Sequence, residues 1–191
     1  MRVLVTGAAG FMGSHVSEQL VAEGHEVTGL DSFMPYYPRP IKERNLERLR
    51  DERRFRFIEA DLREVNLTPL VADADAILHL AALPGNRWDL FDEYMTNNLK
   101  ATERLIEALR RVGDGERRRL VQISTSSVYG AEATGDEESP LRPASPYGIT
   151  KLAAEQLART YGASFGLPVI TLRYFSLYGP RQRPPRRCST R

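Results

Sequence analysis

Gly7-Ala8-Ala9-Gly10-Phe11-Met12-Gly13 stands between a short apolar run, Val3-Leu4-Val5-Thr6, and a stretch with helical spacing from Phe11 to Ala22. A strand that passes through three glycines into a helix can turn tightly, bring its backbone close to a pyrophosphate and pack the helix against the strand. The helix start then offers free N–H groups and a partial positive charge to the anion. Asp31 closes the next apolar run, Glu26 to Leu30, eighteen residues after Gly13. A carboxylate at that place can accept hydrogen bonds from the ribose of a dinucleotide and repel a 2′-phosphate. The following residue is Ser32 rather than an arginine, so the pattern reads as NAD in preference to NADP. Gly7, Gly10, Phe11, Met12 and Gly13 are therefore candidate cofactor residues, with Asp31. Asp61, after a third strand, has two readings: contact with the adenine, or capping of the segment that starts at Leu62.

The remaining periodicities extend this start into a fold. Arg54 to Glu59 alternates as a strand does, and Ala74 to Leu80, Leu120 to Ile123 and Pro168 to Arg173 are apolar runs of buried-strand type. Between them, Glu43 to Glu52, Phe91 to Val112 and Tyr147 to Tyr161 carry apolar residues at helical spacing. Pro35 to Pro40 and Ala131 to Pro146 read as loops, and Gly113-Asp114-Gly115 ends a helix. Alternating β and α segments predict an α/β fold: a Rossmann-type, doubly wound parallel sheet with helices on both faces. One domain is expected over residues 1–180, followed by a basic tail over 181–191.

Charge and composition exclude several other classes. The chain has 27 Lys and Arg against 25 Asp and Glu, but Arg181 to Arg191 contains five arginines and no acid. Without that tail the body has 22 basic and 25 acidic side chains, so it lacks the basic face of a nucleic-acid-binding domain. No apolar run reaches the roughly 20 residues of a membrane span. His15, His25 and His79 lie far apart and Cys188 is the only cysteine, so neither a metal cluster nor an intrachain disulfide is expected. The start turns glycine-rich too early for a secretion signal, and the reading is cytoplasmic. In that setting the sequon Asn66-Leu67-Thr68 reads as chance.

Tyr147-Gly148-Ile149-Thr150-Lys151 places a phenol and an ammonium at i and i+4, on one helical face. A nearby cation favours the phenolate, and lowering a tyrosine pKa from about 10 to near 7 takes roughly 4 kcal/mol. A base of that strength suits proton removal from a sugar hydroxyl. Ser124-Thr125-Ser126-Ser127 follows the strand ending at Ile123, and strand C-termini are where ligands bind in open α/β sheets. Hydroxyls there can bridge Tyr147 to a substrate oxygen; Ser126 and Ser127 read equally as turn residues.

Together these segments resemble the extended short-chain dehydrogenase/reductase family, in its NAD-dependent nucleotide-sugar epimerase/dehydratase branch. The resemblance is carried by TGAAGFMGSH at 6–15, Asp31, Asp61, HLAA at 79–82, NN at 97–98, STSSVYG at 124–130, YGITK at 147–151 and LRYFSLYGPRQRP at 172–184. It implies that Asp61 and Leu62 flank the adenine, that Leu80, Ala81 and Ala82 line the cofactor, and that Asn98 holds the surrounding loop. His79 reads as a core histidine and stays outside the expected site. Thr125, Tyr147 and Lys151 match the catalytic set, Lys151 also bonding the nicotinamide ribose. Tyr174 to Ser176 would meet nicotinamide and sugar.

Two serines, Ser126 and Ser127, follow Thr125 where dehydratases of this family carry Asp-Glu, and serine is no proton donor near neutral pH, which disfavours elimination. Asp31-Ser32-Phe33, Pro35-Tyr36-Tyr37 and Pro84-Gly85-Asn86-Arg87 look like the UDP-glucuronate 4-epimerase subgroup. Arg87 would pair a substrate carboxylate, or else serve as a surface arginine. Ser176 replaces an asparagine common in the family, which weakens its expected sugar contact. Family members continue for another hundred or more residues that build most of the substrate domain. Here Pro185 to Arg191 resembles nothing expected at that place and reads as a frameshift, an early stop or a shortened chain. The implied function is C4 epimerisation of a UDP-sugar with NAD, and a homodimer is compatible with it. The alternatives are an inactive NAD-binding module and a reductase or dehydrogenase with net redox turnover.

Overall fold

The computed structural model describes residues 1–85, 87–113 and 118–182. Six strands form one sheet: β1 (Arg2–Thr6), β2 (Glu26–Asp31), β3 (Phe55–Glu59), β4 (Ala76–His79), β5 (Arg119–Thr125) and β6 (Val169–Tyr174). Their order is β3-β2-β1-β4-β5-β6, and every pairing is parallel. The chain leaves β1 toward β2 on one side and returns to β1's other side with β4. That reversal opens a crevice at the strand C-terminal ends, the place where open α/β sheets bind ligands. The Rossmann-type, doubly wound sheet expected from the sequence is thus the observed one.

The inner strands are apolar on both sides because both sides are covered. Val3, Val5 and Val27 pack with Ala8, Leu20 and Val21 of the layer containing α1 (Phe11–Ala22). Leu4, Leu30, Ile77 and Leu120 belong to the core on the other face of the sheet. They pack with Leu105, Ile106 and Leu109 of α5 (Ala101–Val112) and Ala158 of α6 (Pro146–Phe165). Two glycines fix how α1 leaves β1. Gly7 has φ +73°, and a Cβ on Gly13 would lie 2.1 Å from the Gly7 carbonyl oxygen, so no larger residue fits without moving the backbone.

The structure departs from the sequence expectations at three helices. α2 is Arg39–Asn45, with Pro in its first turn, rather than Glu43 to Glu52. The stripe residues Leu46 and Leu49 are buried as expected, but on turns, because a proline that opens a helix shifts its start toward the chain's beginning. α3 (Thr68–Ala72) is too short for periodicity to reveal. The expected helix from Phe91 is divided into α4 (Phe91–Tyr94), a π-helical turn (Met95–Lys100) and α5. Asn98 is the physical reason: its amide satisfies both backbone groups of Leu83, accepting from the N–H at 2.7 Å and donating to the carbonyl at 3.2 Å, and also reaches Thr150 Oγ1 at 3.3 Å.

At the far edge, β6 leaves Ile170 and Leu172 exposed, followed by exposed Phe175, Leu177 and Tyr178. The chain then returns to α1, where His15 Nε2 donates to the Pro180 carbonyl at 3.0 Å and Arg181 pairs with Glu18 at 2.7 Å. Residues 183–191 of the expected tail and Asn86 lie outside the described residues. Among the described residues no helix is long and apolar enough to cross a membrane, and no group of His, Cys, Asp and Glu is arranged to hold a metal ion.

Candidate active site

The crevice is a cavity of about 370 Å³ that runs from the glycine turn past the reversal point to the start of α6. At one end, Gly7, Gly10, Phe11, Met12 and Gly13 line it. Gly10 is the N-cap of α1, no side chain caps the helix, and its first turn carries no acid. The leading N–H groups of α1 thus face the cavity with the positive end of the helix dipole.

Asp31 is buried at the end of β2. Its Oδ2 accepts from Ala9 N at 3.2 Å, and its Oδ1 accepts from Phe33 N at 2.8 Å. Lys42 Nζ lies 3.4 Å from the same Oδ1, a residue the sequence pattern had placed outside any helix. The earlier start of α2 turns Lys42 and Asn45 inward, and Asn45 Nδ2 ties the helix to the Ala9 carbonyl at 2.9 Å. Only the proline at position 40 carried a hint of this. Asp61 is placed where either of its two readings is open. It lines the cavity, and it accepts from Arg63 N at 2.8 Å while the Arg63 guanidinium, 2.6 Å away, holds its carboxyl below the usual carboxylate range. Leu62, Leu80, Ala81 and Ala82 line the wall between the two ends.

The other end is built by α6. Ser145 caps this helix, its hydroxyl accepting from Gly148 N at 3.1 Å. Tyr147 thereby stands in the first turn, where the helix dipole favours a phenolate. Its ring lies edge-on to Tyr94, with centroids 6.1 Å apart. One turn on, Lys151 is buried and donates to the Ile123 carbonyl at 2.6 Å. Burial pushes its ammonium down to about 8, opposed by the Glu155 carboxylate. Glu155 is itself held by Arg173 of β6 at 2.6 Å. Ser124, Thr125, Tyr147, Lys151 and Tyr174 all line the cavity.

Several expected positions fall elsewhere. Thr125 lines the cavity, but its hydroxyl closes the next turn, accepting from Ser127 N at 3.2 Å and donating to Ser127 Oγ at 3.3 Å. Ser126 lies in that turn and Ser176 is exposed beyond β6; neither is among the lining residues, although Phe175 and Leu177 on either side of Ser176 are. Arg87 is also off the cavity, its guanidinium paired with Asp89. Asn98 stands behind the wall as a brace, whereas Asn97 lines the cavity. These consecutive asparagines point in different directions, one into the cavity and one behind its wall.

His79 stays out of the cavity. It is buried between Thr6 Oγ1, 2.7 Å from Nδ1, and Thr102 Oγ1, 2.9 Å from Nε2. The protons along this chain have one consistent arrangement. Thr102 gives its hydroxyl proton to the Asn98 carbonyl at 2.6 Å and so accepts from Nε2, while Thr6 accepts from Ala81 N at 3.2 Å and gives its proton to Nδ1. Burial and the Lys151 charge push the imidazole down to about 3.

The wall also fits a dinucleotide by what it leaves open. The cradle at Gly7 and Gly13 has no room for a side chain, and Ser124 Oγ is buried on the cavity wall without a hydrogen-bond partner among the described residues. The family model for NAD dependent epimerases and dehydratases matches residues 3–191. The chain belongs to that family. NAD is the cofactor of the family, and solved relatives hold it. The crystal structure of UDP-glucuronic acid 4-epimerase from Bacillus cereus in complex with NAD superposes with a TM-score of 0.90 at 42% identity, covering 96% of this chain and 59% of that one. A second complex of the same enzyme holds UDP-glucuronic acid and NAD. Among curated proteins, an uncharacterized UDP-glucose epimerase, YtcB, from Bacillus subtilis (strain 168) is 46% identical over 96% of this chain and 59% of its own length. A probable UDP-glucuronate 4-epimerase from Rhizobium meliloti (strain 1021) is 33% identical over 96% of this chain and 55% of its own. The chain therefore spans between half and two thirds of the length of these relatives.

Proposed function

We propose that this chain forms the NAD-binding and proton-transfer part of a UDP-sugar 4-epimerase, with a uronic-acid sugar as the preferred substrate class. The observation that carries this reading is convergence. One cavity joins the glycine turn and Asp31 at one end to Tyr147, Lys151 and Thr125 at the other. NAD, when bound, supplies the acceptor and donor of hydride at the sugar C4. Gly7, Gly10, Phe11, Met12 and Gly13 would hold its pyrophosphate, and Asp31 its adenosine ribose. Asp61, Leu62, Leu80, Ala81, Ala82 and Tyr174 would line its remaining length. Tyr147 Oη would take the C4 hydroxyl proton and return it after the sugar has presented its other face. Lys151 and the α6 N-terminus both favour the phenolate that this needs. Thr125 would orient the same hydroxyl, and Asn98 would keep the cofactor wall and α6 in register through Leu83 and Thr150.

Arg87, Ser126 and Ser176 remain substrate candidates within this proposal. Each would have to reorient, and Arg87 would have to leave Asp89. A cytoplasmic setting and a homodimer belong to the same proposal, the first supported by the single cysteine.

A second reading, an NAD-binding module without turnover, is favoured by one observation. Ile170 and Leu172 of β6, and Phe175, Leu177 and Tyr178 after it, are uncovered. A paired measurement separates the readings. The NAD-loaded protein is given UDP-glucuronate, UDP-galacturonate is quantified by chromatography, and NAD+ binding is followed by calorimetry. Turnover that disappears in Tyr147→Phe with cofactor binding intact supports the epimerase. Binding with no turnover in either protein supports the module, and accumulating NADH would show a net redox enzyme instead.

A further inference from the structure

The adenosine end of the cavity contains a charge that opposes Asp31. Lys42 comes from the inward face of α2, and its ammonium and the Asp31 carboxylate are 3.4 Å apart with side chains 9% and 7% exposed. The ammonium also sits over the Tyr37 ring, 5.3 Å from its centroid. Lys42, Asp31, Ser32, Tyr36 and Tyr37 all line this end of the cavity.

A solitary carboxylate at the end of β2 rejects a 2′-phosphate because two anions would share a partly buried site. Here the carboxylate is not solitary. Its Oδ1 already receives the Phe33 N–H, its Oδ2 the Ala9 N–H, and Lys42 balances its charge. An ammonium has three donors, and in a partly buried site its attraction for a phosphate is stronger than in water. The pair as a whole presents no net charge to the ligand.

We propose that Lys42 is a specificity-determining residue that lowers the penalty on a 2′-phosphorylated dinucleotide, so that the Asp31–Lys42 pair sets the NAD/NADP preference. The inference rests on the reading of this cavity as a dinucleotide site. NAD+ remains the preferred ligand, but by a narrower margin than Asp31 alone would impose.

The test is calorimetric titration of NAD+ and NADP+ into the wild-type chain, Lys42→Met, Lys42→Arg and Asp31→Asn, with thermal melts to show that each variant is folded. Lys42→Met is expected to weaken NADP+ at least tenfold and NAD+ less than threefold. Lys42→Arg, which keeps the charge if the buried methionine proves disruptive, should hold the NADP+/NAD+ ratio within about threefold of wild type. Asp31→Asn should tighten NADP+ and weaken NAD+, since the cation then acts unopposed. Equal weakening of both ligands in Lys42→Met, or a larger loss for NAD+, would overturn the proposal and make Lys42 a general contact or a packing residue. Wild-type protein that binds neither dinucleotide would instead refute the underlying site.

Discussion

Replacement of Arg173 by leucine should be among the most damaging single changes in the chain, although Arg173 is remote from the glycine turn. Its guanidinium meets both oxygens of Glu155, with contacts of 2.6, 3.1 and 3.2 Å, and also donates to Tyr129 Oη at 2.9 Å and the Glu137 carbonyl at 2.8 Å. The two side chains are 11% and 1% exposed, so this is a buried pair rather than a surface one. Leucine leaves the Glu155 carboxylate buried without its cation, which costs about 3–5 kcal/mol, against roughly 0–1 for losing an exposed pair. With total stability of about 5–15 kcal/mol, that is a large fraction. At about 2–4 °C per kcal/mol for a domain of this size, the melting midpoint should fall by roughly 6–20 °C. The double variant Arg173→Leu with Glu155→Leu removes the orphaned charge as well and should recover most of the loss, because a buried pair replaced by apolar residues is often neutral. Urea denaturation of the three proteins at neutral pH measures both effects. A loss below about 1 kcal/mol in the single variant, or no recovery in the double, would refute the view that α6 is clamped to β6 by a desolvated ion pair.

Three further outcomes are expected. Burial holds Lys151 at about 8 against an ordinary 10.5, so the unfolded chain binds the extra proton between those values. Stability should therefore rise with pH from about 8 to 10.5, by about 3 kcal/mol at 1.36 kcal/mol per pKa unit, and the wild-type curve minus that of Lys151→Met should isolate this rise. His79 stays neutral down to about 3 in the folded chain against an ordinary 6.5, so stability should fall as pH drops through that window, by up to about 5 kcal/mol; His79→Gln should lose that part of the acid sensitivity in a pH series of urea melts. Gly13→Ala sets a methyl 2.1 Å from the Gly7 oxygen, so the turn must shift; thermal melting should drop and NAD+ affinity should fall at least tenfold by calorimetry, whereas Gly113→Ala, with nothing within 4 Å of its added Cβ, should leave NAD+ affinity unchanged.

The sheet was legible because its signals are local and repeated. Each strand is an apolar run or, at Arg54 to Glu59, an alternating one, and the glycine triplet has one common use between a strand and a helix. What escaped was set by tertiary partners. Nothing in the spacing of Leu46 and Leu49 says that the helix before them starts at Arg39, and so nothing says that Lys42 faces Asp31. A continuous helical stripe from Phe91 cannot announce a π-turn, since the partners of Asn98 within it, Leu83 and Thr150, are distant in sequence. Ser126 and Ser127 follow a strand end, which is a good address for a ligand contact, but the local competition from an N-cap claims the Thr125 and Ser127 hydroxyls. Arg87 has the chemistry to hold a carboxylate, and in this structure an aspartate two residues away holds it first.

The buried polar chain gives these separate pieces one mechanical basis. Thr6 sits at the end of β1, immediately before the glycine turn, and shares its hydroxyl with Ala81 N and His79. His79 passes the connection to Thr102, Thr102 to the Asn98 carbonyl, and the Asn98 amide to Leu83 and Thr150 in the first turns of α6. The Thr150 hydroxyl in turn donates to the Tyr147 carbonyl at 3.0 Å. The cofactor turn and the proposed base are therefore joined by a continuous run of hydrogen bonds through the interior, across the point where the strand order reverses. Apolar packing alone tolerates small slides between helix and sheet, because its energy depends weakly on direction. Hydrogen bonds at fixed distances do not, and a buried donor left unpaired costs about 1–3 kcal/mol. A histidine that could ionise would break this run, since an imidazolium donates from both nitrogens and Thr6 already directs its proton at one of them. Holding His79 neutral is thus what keeps this run of hydrogen bonds between the two ends of the cavity intact.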